Sequence, residues 1–207
     1  MKSLVKFLLG CALVAGLAVS ASAQISLYFS PSSQSTSPNG TVTYGLYVKG
    51  LKNSADYSGP VLGGYNITLD FDASIVAVQS VSFGSLLSQS GPDFQVADTS
   101  TPGVLSLSEI SFDSPSVLEA AQSASFALAS VTFSGLAKGT SAISFDLANT
   151  SLSDENANTL DLAGGGAAGS VSVVPEPSVT AAAIGLAAIG AVVARRRLRQ
   201  AIVRTAA

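Results

Sequence analysis

The sequence predicts an all-β domain, a two-sheet sandwich or jelly roll of about nine strands, set between an apolar segment at each end. Three observations point there. Short stretches rich in β-branched and aromatic residues alternate apolar with small or polar side chains, as half-buried strands do. Clusters of Gly, Pro, Ser, Asn and Asp separate them, and no long segment carries a helical period. Removing the two apolar ends from 207 residues leaves about 150, the size of a single sandwich.

The first element is a secretory signal peptide over residues 1–23. Lys2 and Lys6 form its positive region, residues 7–19 its apolar core, and Ala21-Ser22-Ala23 a small-residue cleavage site before Gln24. Cys11 follows Leu8-Leu9-Gly10, a faint lipoprotein box, but it stands early in the apolar run with a better site after it. It is also the sole cysteine, so the domain over residues 24–173 is expected to hold no disulfide and no thiol nucleophile. Histidine is absent altogether, which removes the usual general base and the partner that a Ser-His-Asp or Cys-His arrangement needs. From 24 to 174 three lysines face twelve carboxylates, a balance of −9 that repels nucleic-acid phosphate and favours solubility outside the cell.

Strands are expected at 25–29, 41–51, 65–71, 76–83, 94–97, 105–112, 127–133, 142–147 and 170–174. In the second of these Val42, Tyr44, Leu46 and Val48 share one face, so that face turns inward. Residues 114–125 interrupt the pattern with a short helix or a crossing loop. Residues 53–64 and the stretch from Gly164 read as surface connections.

Asp154, Asn156, Asn158 and Asp161 place oxygen ligands at close spacing, as a calcium loop would. The segment departs from an EF-hand, since Thr159 stands where the sharp turn wants glycine and Gly165 where the bidentate Glu belongs. A polar hairpin turn accounts for the same residues and is the favoured reading, with calcium as the alternative and no other cofactor expected. Asp70 and Asp72 lie on one strand face and read as an exposed edge with a turn cap. For Tyr28, Tyr44, Tyr47, Tyr57 and Tyr65 core packing is the default and sugar stacking the alternative, with Tyr47 and Tyr57 the positions to test. No residues are identified as catalytic.

The C-terminal end has three parts. Val174-Pro175-Glu176-Pro177-Ser178 is held extended by its prolines, residues 179–194 are uncharged and apolar, and Arg195, Arg196, Arg197 and Arg199 open a basic tail over 195–207. As a helix the apolar run spans about 24 Å, short of a hydrocarbon core of roughly 30 Å, so it inserts with snorkelling arginines or a thinned bilayer. The positive-inside rule keeps the arginines cytoplasmic and puts the acidic domain outside, in agreement with the signal peptide.

Pro-Glu-Pro, a short apolar helix and an arginine cluster in that order resemble the PEP-CTERM sorting signal of certain Gram-negative bacteria. The resemblance implies an exosortase-type processing enzyme as partner, transient anchoring in the inner membrane, release to the cell surface or medium, and a setting of exopolysaccharide or biofilm. The tail from Gln200 to Ala207 is longer than that pattern has.

Within the domain, Gly64-Tyr65-Asn66-Ile67-Thr68-Leu69-Asp70-Phe71-Asp72-Ala73-Ser74-Ile75-Val76 is similar to an early strand and turn of the cohesin domain. Leu128-Ala129-Ser130-Val131-Thr132-Phe133 with Lys138-Gly139-Thr140-Ser141-Ala142-Ile143 resembles its later hairpin. Ser151-Leu152-Ser153-Asp154 resembles the turn before its final strand pair. This cohesin-like resemblance implies a non-enzymatic module that binds another surface protein of dockerin type, or carbohydrate as related sandwiches do, with no contact residue carried over. The alternatives are a secreted glycan-active enzyme and an adhesion module that stays membrane-anchored.

Overall fold

A computed structural model describes residues 24–51, 59–91, 93–164 and 166–175, with 186–187, 189–190 and 195 near the C-terminus. Twelve strands and one short helix build two facing sheets among the described residues. The first sheet contains β1 (Ser26–Ser30), β3 (Thr41–Lys49), β8 (Ser125–Gly135) and β5 (Val76–Phe83), in that spatial order and antiparallel throughout. The second runs β11 (Thr159–Leu160), β10 (Ser151–Asp154), β4 (Leu62–Phe71), β9 (Gly139–Phe145), β12 (Gly169–Val173), β2 (Ser33–Thr36). β7 (Val104–Ile110) pairs with β4, and β6 (Phe94–Asp98) pairs with β7 at an outer edge.

All nine expected strands are present, and three more join them. β2 reads Ser-Gln-Ser-Thr, with no apolar alternation to announce it, and it exists because its backbone pairs in parallel with β12. Residues 151–154, expected as a turn, form β10, which pairs with β4 and with the two-residue β11. The interruption at 114–125 contains helix α1 (Pro115–Ala121), opened by proline at its first turn and seated by buried Leu118.

The core is what the alternation predicts. Leu27, Val42, Tyr44, Leu46, Val48, Leu128, Val131 and Phe133 from the first sheet meet Ile67, Leu69, Leu105, Leu107, Ile143 and Val171 from the second. Tyr44 stands edge-on to Phe29 and to Phe133, at ring-centre distances of 6.0 and 6.2 Å. Phe133 in turn stands edge-on to Phe71 of the opposite sheet at 5.5 Å, so edge-to-face aromatic contacts tie the layers together. The Tyr44 hydroxyl donates to the carbonyl of Ser170 and does not remain an orphan in the core.

Gln122, 3% exposed just after α1, donates from Nε2 to the Leu62 carbonyl at 2.7 Å and accepts from the Leu62 amide at 2.8 Å. A side-chain amide thus supplies both partners that the start of β4 lacks. Next to it, Gly63 lets two backbones meet: a Cβ there would lie 2.3 Å from the Asp154 carbonyl oxygen.

Two ends of the sandwich are distinguished by register. Phe71 pairs with Ile143, and β9 continues past that point to Gly139, which pairs with Val173. The chain therefore leaves the domain at the Phe71 end of β4, where the Val174 amide still donates to Thr36. Gly64, seven residues back along β4, lies roughly 23 Å away at about 3.3 Å per residue.

Candidate interaction surface

The outward face of β6, β7 and β4 follows from the pairing. Phe94 lies opposite Ile110, which lies opposite Gly64, while Val96 lies opposite Ser108, which lies opposite Asn66. Both cross-strand rows point to solvent. Phe94 is 49% exposed, Val96 40% and Ile110 51%, with Phe112 just beyond at 73%. This gathers four large apolar groups on one edge of one sheet, whereas Leu136, Leu147 and Val174 are exposed apart from it.

Gly64 contributes no side chain, so a groove of about 400 Å³ opens between Phe94 and Ile110 on one side and the β10–β11 hairpin on the other. Asn66 and Ser108 supply polar atoms along it, joined by a 3.0 Å bond from the Ser108 hydroxyl to the Asn66 Oδ1. An apolar centre with a polar margin on an exposed sheet edge is the anatomy of a protein-docking surface.

In the row between these two, Tyr65 and Glu109 are buried, and Gln95 lies opposite Glu109 on the exposed edge strand. Glu109 is fully buried, and Gln95 Nε2 bridges its Oε1 at 2.9 Å and the Asp93 Oδ2 at 3.0 Å. Glu109 Oε2 has no such partner. Burial, with the neighbouring Asp93 carboxyl, raises the Glu109 pKa to about 7 against the weaker opposing pull of Gln95 and Tyr65. Burial also raises the Tyr65 phenol above its ordinary range.

Of the residues singled out from sequence, those that are described lie apart from this patch. Tyr47 sits on the outer face of the first sheet, opposite Tyr28 and stacked on it at 5.2 Å, with Lys49 Nζ 5.6 Å from the Tyr28 ring centre. Its ring also leans over Gly45, where a Cβ would lie 2.5 Å from the ring edge. Tyr44 and Tyr65 are core residues. Tyr57 lies outside the described residues.

Asp154 organises the β10–β11 turn. Its Oδ1 accepts from the amides of Asn156 at 2.9 Å and Asn158 at 2.7 Å, and its Oδ2 from the Asn158 side chain at 2.9 Å. Those bonds, led by the Asn158 side chain, hold its carboxyl below the usual range. Ala157 takes the left-handed conformation that closes the hairpin. Asp161 lies beyond β11 on a separate groove with Gln24 and Ile25. Asp72 caps the turn after β4, accepting from the Ser74 amide at 2.9 Å and hydroxyl at 2.6 Å.

Of the terminal motifs, Gln24 is exposed at the start of the described chain, and Ala21 and Ala23 lie outside it. Val174 and Pro175 follow β12 directly, whereas Glu176, Pro177 and Ser178 lie outside the described residues. Arg195 is exposed, and Arg196, Arg197 and Arg199 lie outside as well. Among the described residues no helix is long and apolar enough to cross a membrane.

The patch escaped the sequence reading, and one signal for it was present. In β7 the inward positions run Leu105, Leu107, Glu109, so an acid interrupts the buried face at the point where Ile110 turns outward.

The family model for the cohesin domain matches residues 29–173. Among solved structures, the sixth cohesin of scaffoldin B from Acetivibrio cellulolyticus, in complex with a dockerin, superposes with a TM-score of 0.58 at 14% identity, covering 73% of this chain and 99% of that one. A Clostridium acetobutylicum module solved in solution gives 0.55 at 24% identity, covering 73% and 92%. The cohesin module of a Clostridium perfringens family 33 glycoside hydrolase gives 0.54 at 11%, covering 74% and 99%. Among curated protein sequences none matches this chain.

Proposed function

Because this chain belongs to the cohesin family, whose domains are non-catalytic interaction modules, we propose that it is an exported docking protein that binds a dockerin-type module of another surface protein through Phe94, Val96 and Ile110. The observation that carries the reading is the exposed apolar patch beside the Gly64 groove. Its position favours display. It lies at the end of the sandwich remote from Pro175, so a domain tethered through its C-terminus holds the patch away from the membrane.

The signal peptide delivers the chain across the membrane, and residues 179–194 with the following arginines hold it there briefly. An exosortase-type enzyme cuts near Val174–Ser178, just after β12 has ended, at a proline-flanked carboxylate that the sequence places there. The product belongs to an exopolysaccharide or biofilm matrix. A second surface serves that setting: the Tyr28–Tyr47 stack on the opposite sheet offers aromatic area to a glycan.

A photo-crosslinking residue placed at 94 or at 47 in the producing cell tests the docking assignment. The account expects a discrete protein adduct from position 94 and none from 47. The same adduct from 47, or adducts from neither, would count against it.

A further inference from the structure

We propose that buried Glu109 is a proton-operated latch, which seats β6 on β7 while its carboxyl holds a proton and loosens the strand when it ionises. The consequence for docking rests on the function proposed above, because the latch lies in the inward row directly between the two outward rows that carry Phe94, Ile110 and Val96.

The geometry supplies each part. Glu109 faces the tyrosine of β4, Tyr65, whose hydroxyl donates to the Leu128 carbonyl of β8 at 3.2 Å. On the β6 side it faces Gln95 and the carboxyl of Asp93. Among the described residues no lysine or arginine contributes to its surroundings. Gln95 satisfies the Glu109 Oε1, and a proton on the carboxyl removes the charge from the buried Oε2 that is left over. Without that proton Glu109 is a buried and uncompensated charge, which the fold relieves by letting β6 move off it.

β6 is the element able to move. All five of its residues are exposed, it pairs with β7 alone, and both Asp93 and Gln95 travel with it. A rise in pH through neutrality therefore loosens the strand that carries Phe94 and Val96, and docking is tighter at pH 6 than at pH 8.

Hydrogen exchange on the full chain tests the latch with no partner present. Protection factors for the amides of 94–98, corrected for intrinsic rate, are expected to fall about tenfold between pH 6 and pH 8. In Glu109→Gln they are expected to stay constant. Wild-type protection that is flat with pH, or a Glu109→Gln variant that keeps the wild-type dependence, overturns the proposal. If the variant does not fold, carbon-13 titration of the wild-type carboxyls decides: a Glu109 midpoint near 7 supports the latch and one below about 5 overturns it. Since no partner enters either measurement, failure here leaves the docking assignment standing, and failed docking by a Phe94→Ser variant leaves the latch untouched.

Discussion

Glu109→Gln keeps the shape of the buried side chain and removes its proton equilibrium, so its effect on stability can be worked out. The wild-type carboxyl titrates near 7 in the fold against 4.5 as its reference, so over that interval the native state holds more protons than the unfolded chain. Stability therefore falls as pH rises from the reference value through the folded one, and levels off above it. The whole shift corresponds to about 3 kcal/mol, and the part between pH 5.5 and 8 to about 2 kcal/mol. The turn carboxylates work in the other direction. Asp72, Asp98, Asp146 and Asp154 are held below their ordinary range by bonds from Ser74, Ser100, Asn149 and Asn158, so their support is present above the carboxylate range and lost as pH falls through it. Stability should peak between these limits, in mildly acidic solution. Urea unfolding at pH 5.5 and 8 measures it: the wild type should lose about 2 kcal/mol across the interval while Glu109→Gln stays level. Equal stability of the wild type at both values, or an unchanged slope in the variant, would refute the assignment of Glu109.

Three further outcomes follow from packing and processing. Phe133→Ala removes a fully buried ring that contacts Tyr44 and Phe71, and should cost about 3–5 kcal/mol by denaturant midpoint. Gln122→Ala strips both backbone groups of Leu62 of their partners in a buried site, for an expected loss of about 2–4 kcal/mol in the same assay. Changing Pro175, Glu176 and Pro177 together to alanine should leave the protein in the membrane with its arginines attached, whereas intact mass of the wild type should start at Gln24 and lack the residues after the motif.

The strands were legible because burial follows a period of two wherever one face of a sheet is covered, and Val42-Tyr44-Leu46-Val48 is the clearest instance. β2 and β11 were not, because four residues of Ser, Gln and Thr and a pair of residues carry no period, and their pairing is decided by distant backbone. The exposed apolar patch was hidden for a different reason. Alternation in β6 separates Phe94 and Val96 from Gln95 and Ala97 but does not say that an edge strand leaves both sets exposed, the apolar one included. Asp154 was legible as a turn because short acceptors bond their own backbone within a few residues, which spacing alone reveals. Glu109 was written in the sequence as an acid in an inward register, but its meaning depends on Asp93 and Gln95, which reach it only through the β6–β7 pairing.

The most direct test is the affinity of the crosslinked partner, purified, for the wild type and for the double variant Phe94→Ser with Ile110→Ser, beside Tyr47→Ala as a control on the opposite sheet. Removing two central apolar anchors should weaken binding by about a hundredfold or more at unchanged thermal stability, with Tyr47→Ala matching the wild type. Wild-type affinity in the double variant, or loss of binding in Tyr47→Ala alone, would place the interaction on another face and contradict the account.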